Sequence, residues 1–257
     1  MLTQPTMETL QKLKLTGMIK ALQEQENNAS FRELSFEERF GLIIDREAVE
    51  RDNRQTATKL KFARLRHPAT FEDIDFRSVR GLDKGLILSL SSCDWIREHH
   101  NLLLTGPTGV GKTYIACAIA QKACREGFSS LYQRLGRLFQ EVNVVRAEGR
   151  YLRWIKNLIR PDVLILDDLG LEAFSRETRQ DLFELLEERY QRKSTIIVSQ
   201  IPVDSWHETL GGQTLADAIL DRIVHNSHII NLKGETMRKK MTTITKTKTL
   251  THSDHHG

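Results

Sequence analysis

Eight consecutive residues, Gly106, Pro107, Thr108, Gly109, Val110, Gly111, Lys112 and Thr113, have the types and spacing needed to hold a polyphosphate. The three glycines let the backbone turn its N–H groups inward around phosphate oxygens. Lys112 supplies a point charge for the outer phosphates, and the Thr113 hydroxyl is a Mg²⁺ ligand. Such a loop needs a strand before it and a helix after it. Leu102-Leu103-Leu104 reads as the strand, and Lys112 to Arg125, with Ile115, Ile119 and Ala123 on one side, reads as the helix. The helix N-terminus adds a positive dipole end. The alternative is a glycine-rich loop with no nucleotide to bind. The Lys-Thr pair and both flanking elements argue against it.

A second motif completes the chemistry. Val163-Leu164-Ile165-Leu166 is an apolar run ending in Asp167 and Asp168. A buried strand of this kind delivers its terminal acids to the carboxyl edge of a sheet, beside the phosphate loop. Asp167 is expected to hold Mg²⁺, directly or through water. Asp168 is expected to orient or deprotonate an attacking water. An Asp-Asp pair opening a loop is common in isolation; downstream of a complete phosphate motif it points to a P-loop ATPase using ATP and Mg²⁺.

The elements that position these residues follow from the pattern. Ser130 to Gln133 and Thr195 to Val198 read as further strands, and Glu177 to Arg192 as an amphipathic helix. Continuous β-branched runs suit parallel strands covered on both faces. Their alternation with helices predicts an α/β fold over residues 101–240, a three-layer P-loop domain with a parallel sheet and right-handed crossovers. A small all-α domain precedes it, over residues 1–67. There Leu10, Leu13, Met18, Ile19 and Leu22 approximate a helical stripe, and Ser35-Phe36-Glu37-Glu38 resembles a capping box opening a second helix that Pro68 ends. Residues 68–100 form a connector. Residues 241–257, rich in Thr, Lys and His, read as a disordered tail.

Composition limits the setting. The chain has 257 residues, 39% hydrophobic and 28% charged, which is enough to bury a full core. Cys93, Cys117 and Cys124 are odd in number and form no C-x-x-C pair, which suits buried reduced thiols in a reducing compartment. No apolar run approaches the ~20 residues of a membrane helix, and the N-terminus has no signal-peptide pattern, so no membrane partner and a cytoplasmic location are expected. The net charge of +4 is informative only where it clusters. It does so from Arg51 to Arg66, where Lys59, Lys61, Arg64 and Arg66 belong either to a solvated helix face or to an arm that contacts phosphates.

With these motifs in view, the sequence resembles the IstB family of AAA+ ATPases, the helpers of insertion-sequence transposition. GPTGVGKT, VLILDDLG, SQIP, LADAILDRIVHN and GETMRKK carry the resemblance, with METLQKLKLTGMIKAL and LSFEERFGLIIDREAVERDNR in the N-terminal part. The family is similar to the helicase loader DnaC and the replication initiator DnaA. The resemblance implies that Gln200, or Ser199 after it, senses the γ-phosphate, that Arg222 is an arginine finger acting on a neighbouring subunit's ATP, and that Arg238 is a second sensor. Arg222 has the alternative of pairing with Asp217 or Asp221 on its own helix, and Arg238 of belonging to a basic tail. Most AAA+ proteins place Glu where Asp168 stands, one methylene longer, though related initiators and loaders also use Asp.

The resemblance further implies a homo-oligomer assembled with ATP, duplex DNA as substrate and a cognate transposase as partner. Arg134 and Arg137, just after the strand ending at Gln133, are candidate DNA contacts or ordinary surface arginines. Two other readings remain at this point. A DnaC-like helicase loader shares all the ATP chemistry, but its N-terminal module typically carries a Cys/His zinc cluster that residues 1–67 do not have. A small-molecule kinase would leave the finger and sensor arginines without a role.

Overall fold

The computed structural model describes residues 4–77, 81–171, 174–211 and 214–237. Arg238 and residues 241–257 lie outside them. The chain divides into two compact units, Met1–Lys61 and Phe62–Gly257. Residues 62–67 therefore group with the second unit, not with the helical unit in which the sequence pattern places them.

The first unit contains α1 (Gln4–Lys12), α2 (Thr16–Asn27) and most of α3 (Phe36–Ala63). The apolar stripe from Leu10 to Leu22 is not one helix. It breaks where Lys14 adopts a left-handed φ of 57°, and Leu13 is exposed. The capping box at the start of α3 is formed reciprocally: the Ser35 amide donates to Glu38 Oε2 at 2.8 Å, and the Glu38 amide donates to Ser35 Oγ at 3.2 Å. The start of α2 is capped from another helix. Glu47 Oε2, buried, accepts from the amides of Gly17 at 2.7 Å and Met18 at 3.2 Å, two of the donors a helix N-terminus leaves unpaired. A Cβ on Gly17 would stand 2.6 Å from Glu47 Cα, so only glycine permits this approach. Helix α3 stops at Ala63, ahead of Pro68, because Arg64 turns left-handed with φ 49°.

The connector folds as part of the ATPase core. It carries α4 (Lys84–Leu90) and α5 (Asp94–Arg97). Its Phe71, Ile74, Ile87, Leu90, Trp95 and Ile96 are buried in the same cluster as the sheet residues Leu102, Leu104, Ile165 and Val198.

The rest of the unit comprises β1 (Asn101–Thr105), α6 (Lys112–Arg125), β2 (Ser130–Arg134), α7 (Leu135–Ala147), α8 (Tyr151–Ile159), β3 (Val163–Leu169), α9 (Arg176–Arg189), β4 (Ser194–Ser199), α10 (Trp206–Thr209), α11 (Thr214–Val224) and β5 (Ser227–Asn231). Among the described residues the five strands form one sheet in the order β2-β3-β4-β1-β5, every pair parallel. Side chains alternate between its faces. Leu102 and Leu104 join a core with α6 and the connector, and Leu103 joins another with α7, α8, α9 and α11. The three-layer α/β expectation therefore holds. Each fully buried Leu or Ile contributes about 1.5–3 kcal/mol by leaving water. β5 is added beyond the strands expected from sequence, because His228 and polar flanks dilute its apolar pattern.

Candidate functional site

The phosphate loop lies between the end of β1 and the start of α6, as its sequence requires. Gly106, Gly109 and Gly111 adopt φ of 135°, 87° and 96°, a region closed to most side chains. The loop is also backed closely by the chain that follows β5. A Cβ on Gly106 would stand 2.0 Å from the Leu232 carbonyl oxygen, and one on Gly109 would stand 2.2 Å from Thr236 Oγ1. The Met237 amide donates to the Gly109 carbonyl at 2.9 Å. The sequence does not reveal this backing strap; it depends on β5 pairing beside β1. Arg238, the next residue, lies outside the described part.

Lys112 is buried, and its Nζ donates to the Gly106 and Pro107 carbonyls at 2.7 and 2.8 Å. Burial pulls its pKa below the ordinary value, opposed by the charges of Asp167 and Asp168. Thr113 Oγ1 donates to Asp167, 3.3 Å from Oδ1 and 3.1 Å from Oδ2. A hydroxyl and a fully buried carboxylate thus converge beside a cradle of backbone amides, the hard oxygen set that suits Mg²⁺ next to phosphates. The residues present fit Mg-ATP.

Two further groups hold Asp167. Tyr132, on β2, donates its hydroxyl to Oδ2 at 2.6 Å, and Arg66 Nη1 stands 3.6 Å from the same oxygen. Burial and the neighbouring Asp167 push the Tyr132 phenol up, so it stays a donor. The Tyr132 hydroxyl together with the two aspartates raises the pKa of Arg66. Arg66, expected on a DNA-contacting arm, therefore lies against the Mg²⁺-ligand candidate. Neither Tyr132 nor this place for Arg66 was legible from motif spacing.

Asp168 is positioned by a backbone irregularity. The pairing of β3 with β4 shifts register between Leu166 and Leu169, and Asp168 has φ 67°. A bulge of this kind re-aims a side chain at the end of a strand. It directs the Asp168 carboxylate to Arg134, the last residue of β2, whose Nε and Nη2 both lie 2.8 Å from Oδ2. Arg134, expected to face DNA, is thus bound to the expected catalytic base, while Arg137 is exposed and pairs with Glu141 at 3.2 Å.

The remaining expected residues divide. Thr108 Oγ1 donates to Gln200 Oε1, joining the phosphate loop to the residue after β4. Ser199 Oγ is occupied by structure, donating to the Leu169 carbonyl and accepting from the Ile201 amide. Arg222 does not approach its own phosphate loop. Asn101, at the start of β1, donates its side-chain amide to the Arg222 carbonyl, and the loop begins at the far end of that strand, about 16 Å away for five residues at ~3.3 Å each. The Arg222 guanidinium pairs with Glu187 at 2.6 Å and with Asp221, and stacks 4.9 Å over the Tyr190 ring. Asp217, the other anticipated partner, pairs with His207. In the basic run, Arg51 is bound to Glu47 and Arg54 to Thr16, so part of that charge serves packing inside the helical unit. Lys61 and Arg64 are exposed, and Lys59 is half-buried.

The comparisons agree with this geometry. Residues 8–245 match the family model described as IstB-like ATP binding protein. The chain is 50% identical, over 93% of its length and 98% of the relative's, to the insertion sequence ATP-binding protein y4pL of Sinorhizobium fredii. It is 47% identical to the insertion sequence IS1162 ATP-binding protein of Pseudomonas fluorescens, over 79% of this chain and 88% of that one. In fold it is similar to the crystal structure of the DnaC helicase loader, with a TM-score of 0.53 and 20% identity over 64% of this chain and 97% of that chain. The matched P-loop, the paired aspartates and the parallel sheet that brings them together place this chain in the IstB-like ATP-binding protein family of insertion sequences, as an ATPase of the AAA+ class.

Proposed function

We propose that this protein assembles with ATP into a cytoplasmic homo-oligomer on duplex DNA and delivers that DNA to the transposase of its insertion sequence, stimulating it. The observation that carries the reading is the position of Arg222. Its position by the start of β1, at the opposite end of that strand from its own phosphate loop, supports a role at the ATP of a neighbouring copy, with nucleotide as part of the contact between subunits.

The chemistry assigns a role to each group. The amides of residues 106–113 and the Lys112 ammonium bind the phosphates. Thr113 and Asp167 would hold Mg²⁺, which would supply charge neutralisation at the outer phosphates. Asp168 takes the proton of the attacking water. Gln200, already touching the loop through Thr108, hydrogen-bonds the terminal phosphate or the water. Arg238 is the second sensor. Arg134 links the two ligands: a DNA phosphate that draws its guanidinium away leaves Asp168 free to act as base, so duplex binding promotes hydrolysis. Lys59, Lys61, Arg64 and Arg137 supply further phosphate contacts, and Arg66 divides its charge between Asp167 and the surface.

The test is competition of duplex against single-stranded DNA at several salt concentrations, with ATP and with ADP, alongside particle size by light scattering. ATP-dependent growth on duplex of arbitrary sequence, weakening as salt rises, is expected. A preference for single strands in ATP would replace this reading with a helicase loader.

A further inference from the structure

We propose that the outer face of α8 is a separate nucleic-acid contact, in which Arg153, Lys156 and Arg160 bind the phosphate backbone of the duplex. The proposal rests on the DNA-binding reading above and assigns that function residues outside those named for it.

The segment from Gly149 to Pro161 carries four cations, Arg150, Arg153, Lys156 and Arg160, and no carboxylate. Arg150 is paired with Glu148. Arg153, Lys156 and Arg160 are exposed and have no ion pair or hydrogen-bond partner for their side chains among the described residues. Their spacing of three and four residues sets them on one side of the helix, over about 10 Å at ~1.5 Å per residue. That length covers about three ~3.4 Å steps from phosphate to phosphate of one strand, measured along the duplex axis. The three residues line a shallow groove with Leu152 and Asn157.

The helix is pinned so that this row is presented rigidly. Its inner face buries Leu158, with Trp154, Ile155 and Ile159 packed beside it. At its C-terminal end the fully buried Arg189 donates to the carbonyls of Leu158 at 3.1 Å and Ile159 at 3.0 Å, and also to that of Pro161 at 2.9 Å. At its start Tyr151 donates to Glu184 at 3.0 Å and stacks under Arg146, which is bound to Asp181. The nearby acids are thereby engaged elsewhere, and Asp162 is taken by Lys193 at 2.6 Å and by Ser129. Three unneutralised cations repel one another, a cost the fold does not offset internally.

The chemistry favours a polyphosphate over an acidic protein surface. A protein-docking face centres on contiguous apolar or aromatic anchors, and Leu152 is the one large apolar side chain of α8 that is exposed. A row of point charges with a single asparagine offers no base-reading set, so binding should be indifferent to sequence.

The experiment compares wild-type full chain with the triple variant Arg153→Gln/Lys156→Gln/Arg160→Gln, measuring duplex affinity in ATP from 50 to 200 mM salt. Three lost contacts should flatten the log–log salt slope by about 2.7 per bound protomer, so over this range the variant's affinity should fall about 40-fold less than wild type's. Binding of a fluorescent ATP analogue and ATPase without DNA should be unchanged. Arg153→Lys/Arg160→Lys should keep most of the slope. Acetylation of Lys156, read by mass spectrometry in wild type, should be suppressed by duplex, which tests the site without any substitution. Wild type that binds no duplex would remove the DNA reading itself. Wild type that binds duplex while the triple variant keeps the same slope, or while Lys156 stays equally reactive, would overturn this proposal alone.

Discussion

Replacing Arg134 with Ala removes the cation whose Nε and Nη2 both stand 2.8 Å from Asp168 Oδ2. A charge-assisted hydrogen-bonded pair out of water contributes about 1.5–3 kcal/mol, whereas a solvent-exposed pair contributes about 0.2–1 kcal/mol. Here the side chains of Arg134 and Asp168 are 50% and 19% accessible, so screening sets the value near the top of the exposed range, about 1 kcal/mol. That energy holds the carboxylate against Arg134 and away from an attacking water. Its removal should raise ATP turnover without DNA about five-fold, since ~1.4 kcal/mol is a factor of ten. The assay is steady-state phosphate release at saturating Mg-ATP, without and then with duplex. Wild type should be stimulated by duplex and Arg134→Ala hardly at all, because the contact that DNA would break is already gone. Turnover falling to the level of Asp168→Asn would refute the reasoning and make Arg134 a positioning group that Asp168 needs. Unchanged turnover with full DNA stimulation would refute it as well.

The other predictions address the remaining parts of the site and the helical unit. Lys112→Ala should abolish detectable nucleotide binding in a fluorescent-nucleotide titration; retained affinity would show that the loop amides suffice. Asp168→Asn should still bind ATP but hydrolyse it ~10²–10⁴-fold more slowly, because an amide cannot take the water's proton. Arg222→Ala should bind ATP yet hydrolyse it poorly, and mixing it with Asp168→Asn should recover activity at interfaces that pair an intact finger with an intact base. No recovery in verified mixed oligomers would assign Arg222 to the Glu187 and Tyr190 contacts alone. Glu47→Ala should destabilise the helical unit by about 1–2 kcal/mol through the lost cap of α2. For Glu47 itself, burial would raise the carboxyl pKa, but hydrogen bonds from Arg51, Met18 and Gly17 outweigh burial and hold it below 4.5. Its contribution is therefore full above about pH 4.5 and is lost as pH falls through the lowered folded value. Thermal melts of wild type and Glu47→Ala should differ at neutral pH and converge in acid; a constant difference would contradict the charged-cap account.

The sequence alone determined the phosphate loop, its flanking strand and helix, the acidic strand end and the three-layer α/β plan. Each rests on local chemistry: glycine's access to positive φ, the continuous apolar runs of two-face-buried strands, and the capping box at Ser35 and Glu38. The family match of residues 8–245 agrees with that reading. Tertiary structure decided what lies next to those motifs. Residues 134 and 168 meet because β2 and β3 pair in parallel, with Arg134 opposite Asp167, and because a bulge turns Asp168 aside. Arg66 reaches Asp167 because α3 ends at Ala63 and Arg64 turns left-handed, which no charge count foresees. The strap at Leu232 to Met237 backs the loop because β5 pairs with β1, a strand too mixed in polarity to stand out as an apolar run. The placement of Arg222 follows from the path of α11 across the sheet to the start of β1. Spacing along the chain encodes contacts within one turn or one strand. Contacts between strands depend on register and crossover, and these are fixed only when the apolar faces of the whole domain are buried together.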